Sequence, residues 1–225
     1  MQIISIVNKK GGVAKTTTAL ALASGLSKRH FHVLAIDCDA QANFSKASCG
    51  EDDVIGTFDI LTGKENINEA IQQLPFYDLI GADKRLSSID VALNKPGREF
   101  MLKKALSQLN TAYDFCVIDN PPALNVAVAN SLAASNKIII CSSAEAFALD
   151  GLMELSATLD DVHKEQLSKI ARVMNTKVYN TIIRRCNSIS VSQSDRKTIF
   201  DFPKSNAAID YGYFIDEFLG GQLHG

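Results

Sequence analysis

The stretch Asn8-Lys9-Lys10-Gly11-Gly12-Val13-Ala14-Lys15-Thr16-Thr17-Thr18 decides the fold of this chain. An apolar run at residues 3–7 precedes it, and a run of strong helix formers at residues 19–23 follows it. Glycine lets a backbone close around phosphate groups, and the N–H groups at the start of a helix point towards an anion. This order predicts that residues 9–17 bind nucleotide phosphates. Lys15 would contact the β- and γ-phosphate oxygens, and the Thr16 hydroxyl would reach Mg²⁺.

The loop is a variant of the common phosphate-loop pattern. The strict form G-x-x-x-x-G-K-[ST] fails at two positions, because Lys9 and Ala14 stand where it requires glycine. The sequence instead matches K-G-G-x-[GA]-K-[ST], in which a second lysine, Lys10, precedes the paired glycines. A glycine-containing turn between a strand and a helix is the alternative interpretation. The methyl group of Ala14 is expected to loosen the phosphate cradle.

Acidic residues follow two further apolar segments. Residues 32–36 lead into Asp37 and Asp39, at the end of a predicted strand, where ligands bind in open α/β sheets. A solvated pair of aspartates at a strand end is the alternative. Residues 113–118 lead into Asp119, which is the Walker B arrangement, with the carboxylate bonding a magnesium-bound water and the Thr16 hydroxyl.

These three segments resemble the ParA/MinD group of deviant-Walker ATPases, and most closely the ParA (Soj-type) partition ATPases. The second segment is similar to the group's D-x-D-P-Q-x-N, with Ala40 in place of proline, and the third to its Y-D-[YF]-x-[IV]-[IV]-D-x-P-P. The resemblance implies that Asp39 polarises the attacking water, whereas Asp37 holds the Mg²⁺ shell or the loop. It also implies that Lys10 crosses to the nucleotide of a partner subunit.

The same resemblance implies an activity and a cycle. The chain is expected to hydrolyse ATP to ADP and phosphate with Mg²⁺, using Lys10, Lys15 and Asp39 as catalytic residues. ATP would lie between the two subunits of a homodimer that binds non-specific DNA. Hydrolysis, stimulated by a ParB-type centromere-binding partner, would release the DNA. The protein would thus segregate a plasmid or chromosome and would be cytoplasmic and nucleoid-associated.

Length and composition indicate one ordinary α/β domain. The chain has 225 residues, 46% of them hydrophobic and 21% charged. Alternating strands and helices predict a three-layer α/β/α fold with a mostly parallel sheet over residues 1–219, followed by a flexible tail at 220–225. No sequence stretch is apolar for about 18 residues, so no membrane span is predicted. Five cysteines without C-x-x-C spacing are expected to be reduced and mostly buried.

The net charge of −2 conceals a basic segment near the end of the chain. Between Lys164 and Lys204, nine basic residues stand against three acidic ones. A solvated surface is one explanation, but the position of the run in an otherwise acidic chain favours a footprint for phosphate backbones. In the resembling family, a strand corresponding to residues 178–183 leads into a basic DNA-binding turn. The predicted DNA-binding residues are Arg184, Arg185, Lys197 and Lys204.

The middle of the chain is expected to be structural. Residues 51–75 predict short helices, 76–81 a short strand and 86–93 a helix, and a further helix opens after Gly97. From residue 148 to 162 and beyond, a helical pattern continues where relatives have another strand and an adenine-contacting loop. The sheet is therefore predicted to be one strand-and-loop unit short. A compact variant and a missing segment both account for this.

Three other functions share part of the pattern. A MinD-like membrane ATPase needs a basic amphipathic C-terminal helix, whereas residues 209–218 are acidic, which argues against it. A ParA-like ATPase that positions a protein cargo would share every motif. A relative that binds nucleotide without hydrolysing it is suggested by Ala14 and by the missing strand, and ATP turnover with Mg²⁺ and DNA would separate it from the others.

Overall fold

One six-stranded sheet organises the described part of the chain. The structure, a computed structural model, describes residues 1–50, 55–141 and 179–220. The strands are β1 (Gln2–Val7), β2 (Val33–Asp37), β3 (Gln72–Gln73), β4 (Asp78–Ile80), β5 (Phe115–Asp119) and β6 (Lys137–Ile140). Their order is β3-β4-β2-β5-β1-β6, and every pair is parallel except β3 with β4. Because β2, β5 and β1 are neighbours, their carboxyl ends meet at one edge of the sheet.

Helices cover both faces of this sheet. They are α1 (Lys15–Ser27), α2 (Asn43–Ser48), α3 (Thr57–Thr62), α4 (Ile89–Ala92), α5 (Met101–Leu106), α6 (Val126–Ala134), α7 (Asn187–Ser194) and α8 (Asn206–Phe218). On one face, buried side chains of α1 and α8, such as Leu22 and Tyr211, pack against Ile4 and Val117 of the sheet. On the other face, α3, α5 and α6 pack against residues such as Ile118. This arrangement confirms the predicted three-layer α/β/α fold with a mostly parallel sheet.

Helix α1, which follows the phosphate loop, packs closely against α8. A Cβ atom built on Gly25 would lie 2.1 Å from Ile215 Cδ1 and 2.9 Å from Phe200 Cε2, so only glycine permits this approach without a shift of its neighbours. Near the other end of α1, the Thr18 and Tyr211 hydroxyls lie 3.1 Å apart in the core. Helix α1 is therefore fixed to α8 at both ends.

Residues 55–75 contain the short helices that were predicted and one strand that was not. Helix α3 and a 3₁₀ turn at Ile67–Ala70 account for the helical pattern, and the predicted strand at 76–81 is β4. Strand β3 consists of two glutamines, which show no alternation of apolar and polar residues. Its antiparallel pairing with β4 makes it a strand, and this long-range contact is invisible in the local pattern.

The helix predicted at 86–93 begins earlier and is not uniform. A 3₁₀ turn at Lys84–Ser88 precedes α4. The Asp83 side chain accepts a hydrogen bond from the Arg85 N–H group and so caps the turn at this earlier position. The helix predicted to open after Gly97 is a 3₁₀ turn at Arg98–Phe100 followed by α5.

Residues 179–186 form no strand, contrary to the strand that the family resemblance implied at 178–183. Carboxylates on α8 take their backbone N–H groups instead. Glu217 accepts from two of these groups at 2.9 and 3.0 Å, and Asp210 accepts from the Arg184 N–H at 2.9 Å. Donors used in this way are not available to a neighbouring strand. The segment therefore runs along α8, outside the sheet.

All five cysteines are free, as predicted. Cys38 and Cys116 are buried, but the prediction that most are buried is wrong for the other three. Cys49, Cys141 and Cys186 are half-buried because they follow or precede the ends of α2, β6 and α7 and so lie at the margin of the core.

Several predictions concern residues that the structure does not describe. The helical pattern from residue 148, the strand-and-loop unit expected to be missing and the tail from residue 221 lie outside the described residues. Within the described segments, no helix combines the length and the apolarity needed to cross a bilayer.

Candidate functional site

The phosphate loop joins β1 to α1 through two residues in the left-handed backbone region. Gly12 has a φ of 74°, and Ala14 has a φ of 61°. Asn8 shapes the loop, because its Oδ1 accepts the Lys10 N–H at 2.9 Å and its Nδ2 donates to the Cys141 carbonyl at 2.6 Å. No side chain caps the start of α1, so no capping group competes with an anion for its first N–H groups.

The glycine side of the loop is open. Cβ atoms built on Gly11 and Gly12 would meet no heavy atom within 4 Å. Lys9 is exposed beside them, whereas Val13 is buried and holds the loop on the core. A phosphate group can therefore approach the backbone from this side.

Ala14 is strained in this position, and Ala14→Gly is expected to stabilise the protein. A left-handed conformation costs a residue with a Cβ atom about 1 kcal/mol, and the exposed methyl group of Ala14 contributes no core packing that the change would lose. The greater conformational entropy of glycine in the unfolded chain offsets at least half of that cost, so we expect the midpoint of thermal unfolding to rise by up to about 2 °C for a domain of this size. Ala14→Val should lower the midpoint, and a fall with glycine would contradict the explanation.

Lys15 lies in a buried position at the first turn of α1. Lys15 is 7% exposed, and its Nζ donates a hydrogen bond to the Lys10 carbonyl at 3.2 Å. Burial lowers the pKa of Lys15, whereas the negative charges of Asp119 and Asp39 favour its protonated form. A buried ammonium group with one neutral acceptor gains strongly from an added anion, so this lysine is suited to bind phosphate oxygens.

Asp119, at the end of β5, lacks the hydrogen bonds that a buried carboxylate normally has. Neither oxygen has a partner among the described residues. Burial and the charge of Asp37 raise the pKa of Asp119, and the Thr16 hydroxyl and Lys15 oppose that rise. The Thr16 hydroxyl is thus nearby, although it is not in hydrogen-bonding geometry with either oxygen.

This carboxylate and hydroxyl fit a magnesium ion. Mg²⁺ prefers hard oxygen ligands and binds in nucleotide sites through one or two carboxylates together with substrate phosphates. The described residues contain no group of three or more His, Cys, Asp or Glu side chains that would form a complete protein cage. Asp119 and Thr16 are therefore the candidate ligands, and the remaining positions would belong to phosphate and water.

Asp37 and Asp39, at the end of β2, have different surroundings. Asp37 is fully buried, and its Oδ1 accepts the Asp39 N–H at 3.0 Å, while its Oδ2 accepts the N–H and the hydroxyl of Ser45 at 3.0 and 2.8 Å. Burial raises the pKa of Asp37, and these three hydrogen bonds lower it. Asp39 is half-buried, and its Oδ1 accepts the Gln41 N–H at 2.9 Å. These contacts suit the Asp37 carboxylate for holding the loop. The Asp39 carboxylate, which accepts fewer hydrogen bonds, is better suited to contact a ligand.

Two residues at this edge were not predicted from the sequence. Ser45 bonds the Asp37 carboxylate, and the Thr57 hydroxyl donates to the Asp37 carbonyl at 2.6 Å. A serine two residues beyond the segment that resembles the family pattern and ends at Asn43 gives only a weak signal, because serine is frequent near helix starts. Thr17, by contrast, was predicted as part of the phosphate loop. Its hydroxyl accepts a hydrogen bond from the Gln193 side chain at 3.3 Å.

The four predicted DNA-binding residues have different surroundings. The Arg184 guanidinium is held by Asp210 of α8, with Nη2 2.7 Å from Oδ1 and Nε 3.0 Å from Oδ2. Arg185 is exposed just before α7, and Lys197 lies beyond its other end, 3.3 Å from Asp195. The eight residues of α7, about 12 Å in length, lie between these two positions in the chain. Lys204 is exposed before α8.

Comparison with known proteins places these features in a family. The AAA-domain family matches residues 1–172, which include the phosphate loop, Asp37, Asp39 and Asp119. The chromosome partitioning protein ParA of Myxococcus xanthus is 37% identical over 164 residues, which are 71% of this chain and 58% of that protein. The chain thus spans little more than half of that relative.

Two further similarities extend over more of the chain. The chromosome-partitioning ATPase Soj of Treponema pallidum is 34% identical over 215 residues, which cover 84% of this chain and 85% of that one. A Borrelia burgdorferi B31 protein that is assigned to plasmid partition and was crystallised with AMPPNP has a similar structure. Its TM-score is 0.82 at 25% identity, and the similarity covers 98% of this chain and 99% of that one.

Proposed function

The chain belongs to the ParA/Soj family of partition ATPases, and from this membership we propose that it is a magnesium-dependent ATPase that moves DNA. In the proposed cycle, ATP binding drives a sandwich homodimer that binds non-specific DNA. Hydrolysis, stimulated by a ParB-type partner, releases the DNA and segregates a plasmid or chromosome. The protein would work in the cytoplasm, on the nucleoid.

One observation carries the magnesium and ATP part of this proposal. Asp119 is fully buried with both carboxylate oxygens unpaired among the described residues, next to a buried lysine and an uncapped helix start. A fold does not maintain a buried carboxylate without donors unless a bound cation or proton compensates it. Magnesium with a nucleoside triphosphate supplies both the cation for Asp119 and the anion for Lys15.

Each residue of the site has a proposed role in hydrolysis. Lys15 holds the β- and γ-phosphate oxygens, Lys10 reaches the nucleotide of the partner subunit, and Asp39 orients the attacking water for in-line attack. When bound, Mg²⁺ would neutralise phosphate charge, and Thr16 and Asp119 would hold it. Most of the rate gain would come from positioning and charge neutralisation.

The test is binding to a non-specific DNA duplex in ATP–Mg²⁺ and in ADP–Mg²⁺, over a series of salt concentrations. We expect binding that requires ATP and weakens steeply with salt, because phosphate contacts release counterions. The two nucleotides would then shift the population of the dimer by their different affinities for it. Equal binding in both nucleotides would contradict the proposed control by ATP.

An ATPase that positions a protein cargo is the second candidate. The engagement of Arg184 by Asp210 favours it, because a guanidinium already held by a carboxylate is less available to a phosphate backbone. Absence of DNA binding in either nucleotide, together with ATP turnover, would support this function. If the protein neither binds DNA nor turns over ATP, it would be a relative that binds nucleotide without hydrolysing it.

Arg185→Ala is expected to weaken DNA binding and to flatten its salt dependence. One lost phosphate contact reduces the slope of log K against log salt by about 0.9. ATP affinity should not change, because Arg185 follows the 179–184 segment on α8 and lies outside the phosphate loop. Titration of a labelled duplex over the salt series measures the slope.

Two variants control for this effect. Lys103→Ala removes an exposed cation from α5, on the opposite layer, and should leave the slope unchanged. Arg184→Ala should change the slope less than Arg185→Ala does, because Asp210 already engages its guanidinium. A parental slope in the Arg185 variant would remove that residue from the DNA surface.

A further inference from the structure

Ser45 occupies a buried junction beside the candidate catalytic loop. It lies in α2 and is fully buried, like Asp37. Both of its donors converge on one atom, since the Ser45 N–H and hydroxyl reach Asp37 Oδ2 at 3.0 and 2.8 Å. A charge-assisted pair of this kind is stronger than two neutral hydrogen bonds and restricts the rotation of the carboxylate.

The same hydroxyl also connects a second strand end. Ser45 Oγ accepts the Ala82 N–H at 2.9 Å, just beyond the end of β4. The hydroxyl therefore donates to the segment after β2 and accepts from the segment after β4. Because the group is buried, no water competes for either contact.

Asp37 passes this restraint on to Asp39. Its other oxygen accepts the Asp39 N–H at 3.0 Å, and its carbonyl accepts the Thr57 hydroxyl at 2.6 Å. The Asp39 backbone is thus held by a carboxylate that Ser45 orients. Of the two neighbouring buried aspartates, Asp37 has three donors on its carboxylate, whereas Asp119 has none among the described residues.

We propose that Ser45 is a positioning residue for ATP hydrolysis, which holds Asp39 in place through the Asp37 carboxylate. This inference rests on the proposed function, because it assigns Ser45 to the reaction of the same site. An error of about 1 Å in a catalytic group can reduce a rate about 100-fold, so a residue that never touches the nucleotide can control turnover. Nucleotide affinity comes from the phosphate loop, on another strand, and does not depend on Ser45.

The experiment separates turnover from binding in three variants. Ser45→Ala removes the hydroxyl, Ser45→Cys keeps the shape with a weak donor, and Ser45→Thr keeps the hydroxyl. Ser48→Ala is the matched control, because Ser48 lies in the same helix and bonds the Phe44 carbonyl and the Tyr77 hydroxyl, away from Asp37. For each folded protein we would measure kcat and the dissociation constant of ATP with Mg²⁺.

We expect kcat to fall about 10- to 100-fold in Ser45→Ala and by a smaller factor in Ser45→Cys. The dissociation constant for ATP should stay within about 3-fold of the parent, since the phosphate loop is unchanged. Ser48→Ala should retain the parental kcat, and Ser45→Thr, which keeps the hydroxyl but adds a methyl group to a buried site, should retain more of it than Ser45→Ala does. A merely structural role would instead lower thermal stability and leave the turnover of folded molecules unchanged.

A second readout does not depend on turnover. In nucleotide-free protein, amide hydrogen exchange of Asp39 should be faster in Ser45→Ala and Ser45→Cys than in the parent, because its acceptor is no longer held. Ser48→Ala should leave that rate unchanged.

The outcomes are distinguishable. Parental kcat and parental exchange in Ser45→Cys or Ser45→Ala would overturn the inference, as would a loss of ATP affinity that matches the loss of kcat. Absence of turnover in the parent would overturn the proposed function instead, and Asp39 exchange would then decide whether Ser45 holds this loop. If Ser45→Ala does not fold, Ser45→Cys and Ser45→Thr give the same comparison.

Discussion

Lys15→Ala is expected to weaken ATP binding at least about 100-fold, which corresponds to about 3 kcal/mol. The reason is the position of the amine. It is buried, it donates one hydrogen bond among the described residues, to the Lys10 carbonyl, and it lies near the charges of Asp119 and Asp39. Without it, the triphosphate would approach two carboxylates without the buried cation that faces them. Calorimetric titration with a non-hydrolysable ATP analogue and Mg²⁺ measures the change.

The fold should survive this substitution. Burial lowers the pKa of Lys15, so the unfolded chain binds its proton more readily than the folded protein does. The protonated amine therefore destabilises the nucleotide-free fold at pH values below its folded pKa, and its removal also removes this cost. We expect an unfolding temperature close to that of the parent without nucleotide, and a loss of the stabilisation that ATP gives the parent.

A control at the other end of the same helix completes the test. Lys28→Ala removes a partly exposed cation from the C-cap of α1, near Asp201, and should leave ATP affinity unchanged. Retained ATP affinity in Lys15→Ala would remove Lys15 from the nucleotide site and return the glycine loop to a simple turn.

The phosphate loop and the sheet were predictable because their signals are local. Apolar runs that end in a glycine loop, in Asp37 and in Asp119 each predict a strand with a polar end, and parallel pairing brings such ends together. The structure confirms this for β1, β2 and β5, in which Asp37 and Asp119 are register partners. One cross-strand register therefore explains why two carboxylates that are distant in sequence interact.

The roles of Ser45 and Arg184 could not be predicted because their partners are distant and not determined by periodicity. Ser45 connects Asp37 with Ala82, and Arg184 meets Asp210 only because residues 179–186 run along α8. A serine or an arginine in a sequence window looks the same whether its partner is water or a buried carboxylate. The strand expected at 178–183 is not formed by its described residues, 179–183, for the same reason, since carboxylates of α8 take backbone donors of this segment.

Asp39→Ala is expected to reduce ATP turnover at least about 100-fold while ATP binding and ATP-dependent dimerisation persist. Asp39 is half-buried at the carboxyl end of β2, on the same edge as Asp119 and Lys15, and one carboxylate oxygen is engaged by the Gln41 N–H. The other oxygen can accept a hydrogen bond from water. Single-turnover hydrolysis, together with size-exclusion chromatography in ATP–Mg²⁺, separates the chemical step from assembly.

Alanine variants of two other aspartates, Asp114 and Asp37, test whether the loss of turnover is specific to Asp39. Asp114→Ala removes a carboxylate before β5, about 16 Å along the strand from the candidate site, and should leave turnover unchanged. Asp37→Ala should instead disturb the loop itself, because three hydrogen bonds to that carboxylate are lost. It would therefore lower stability and turnover together, whereas Asp39→Ala should lower turnover alone. If Asp39→Ala turns over at the parental rate, the group that orients the water lies elsewhere, and Asp39 has no place in the chemical step.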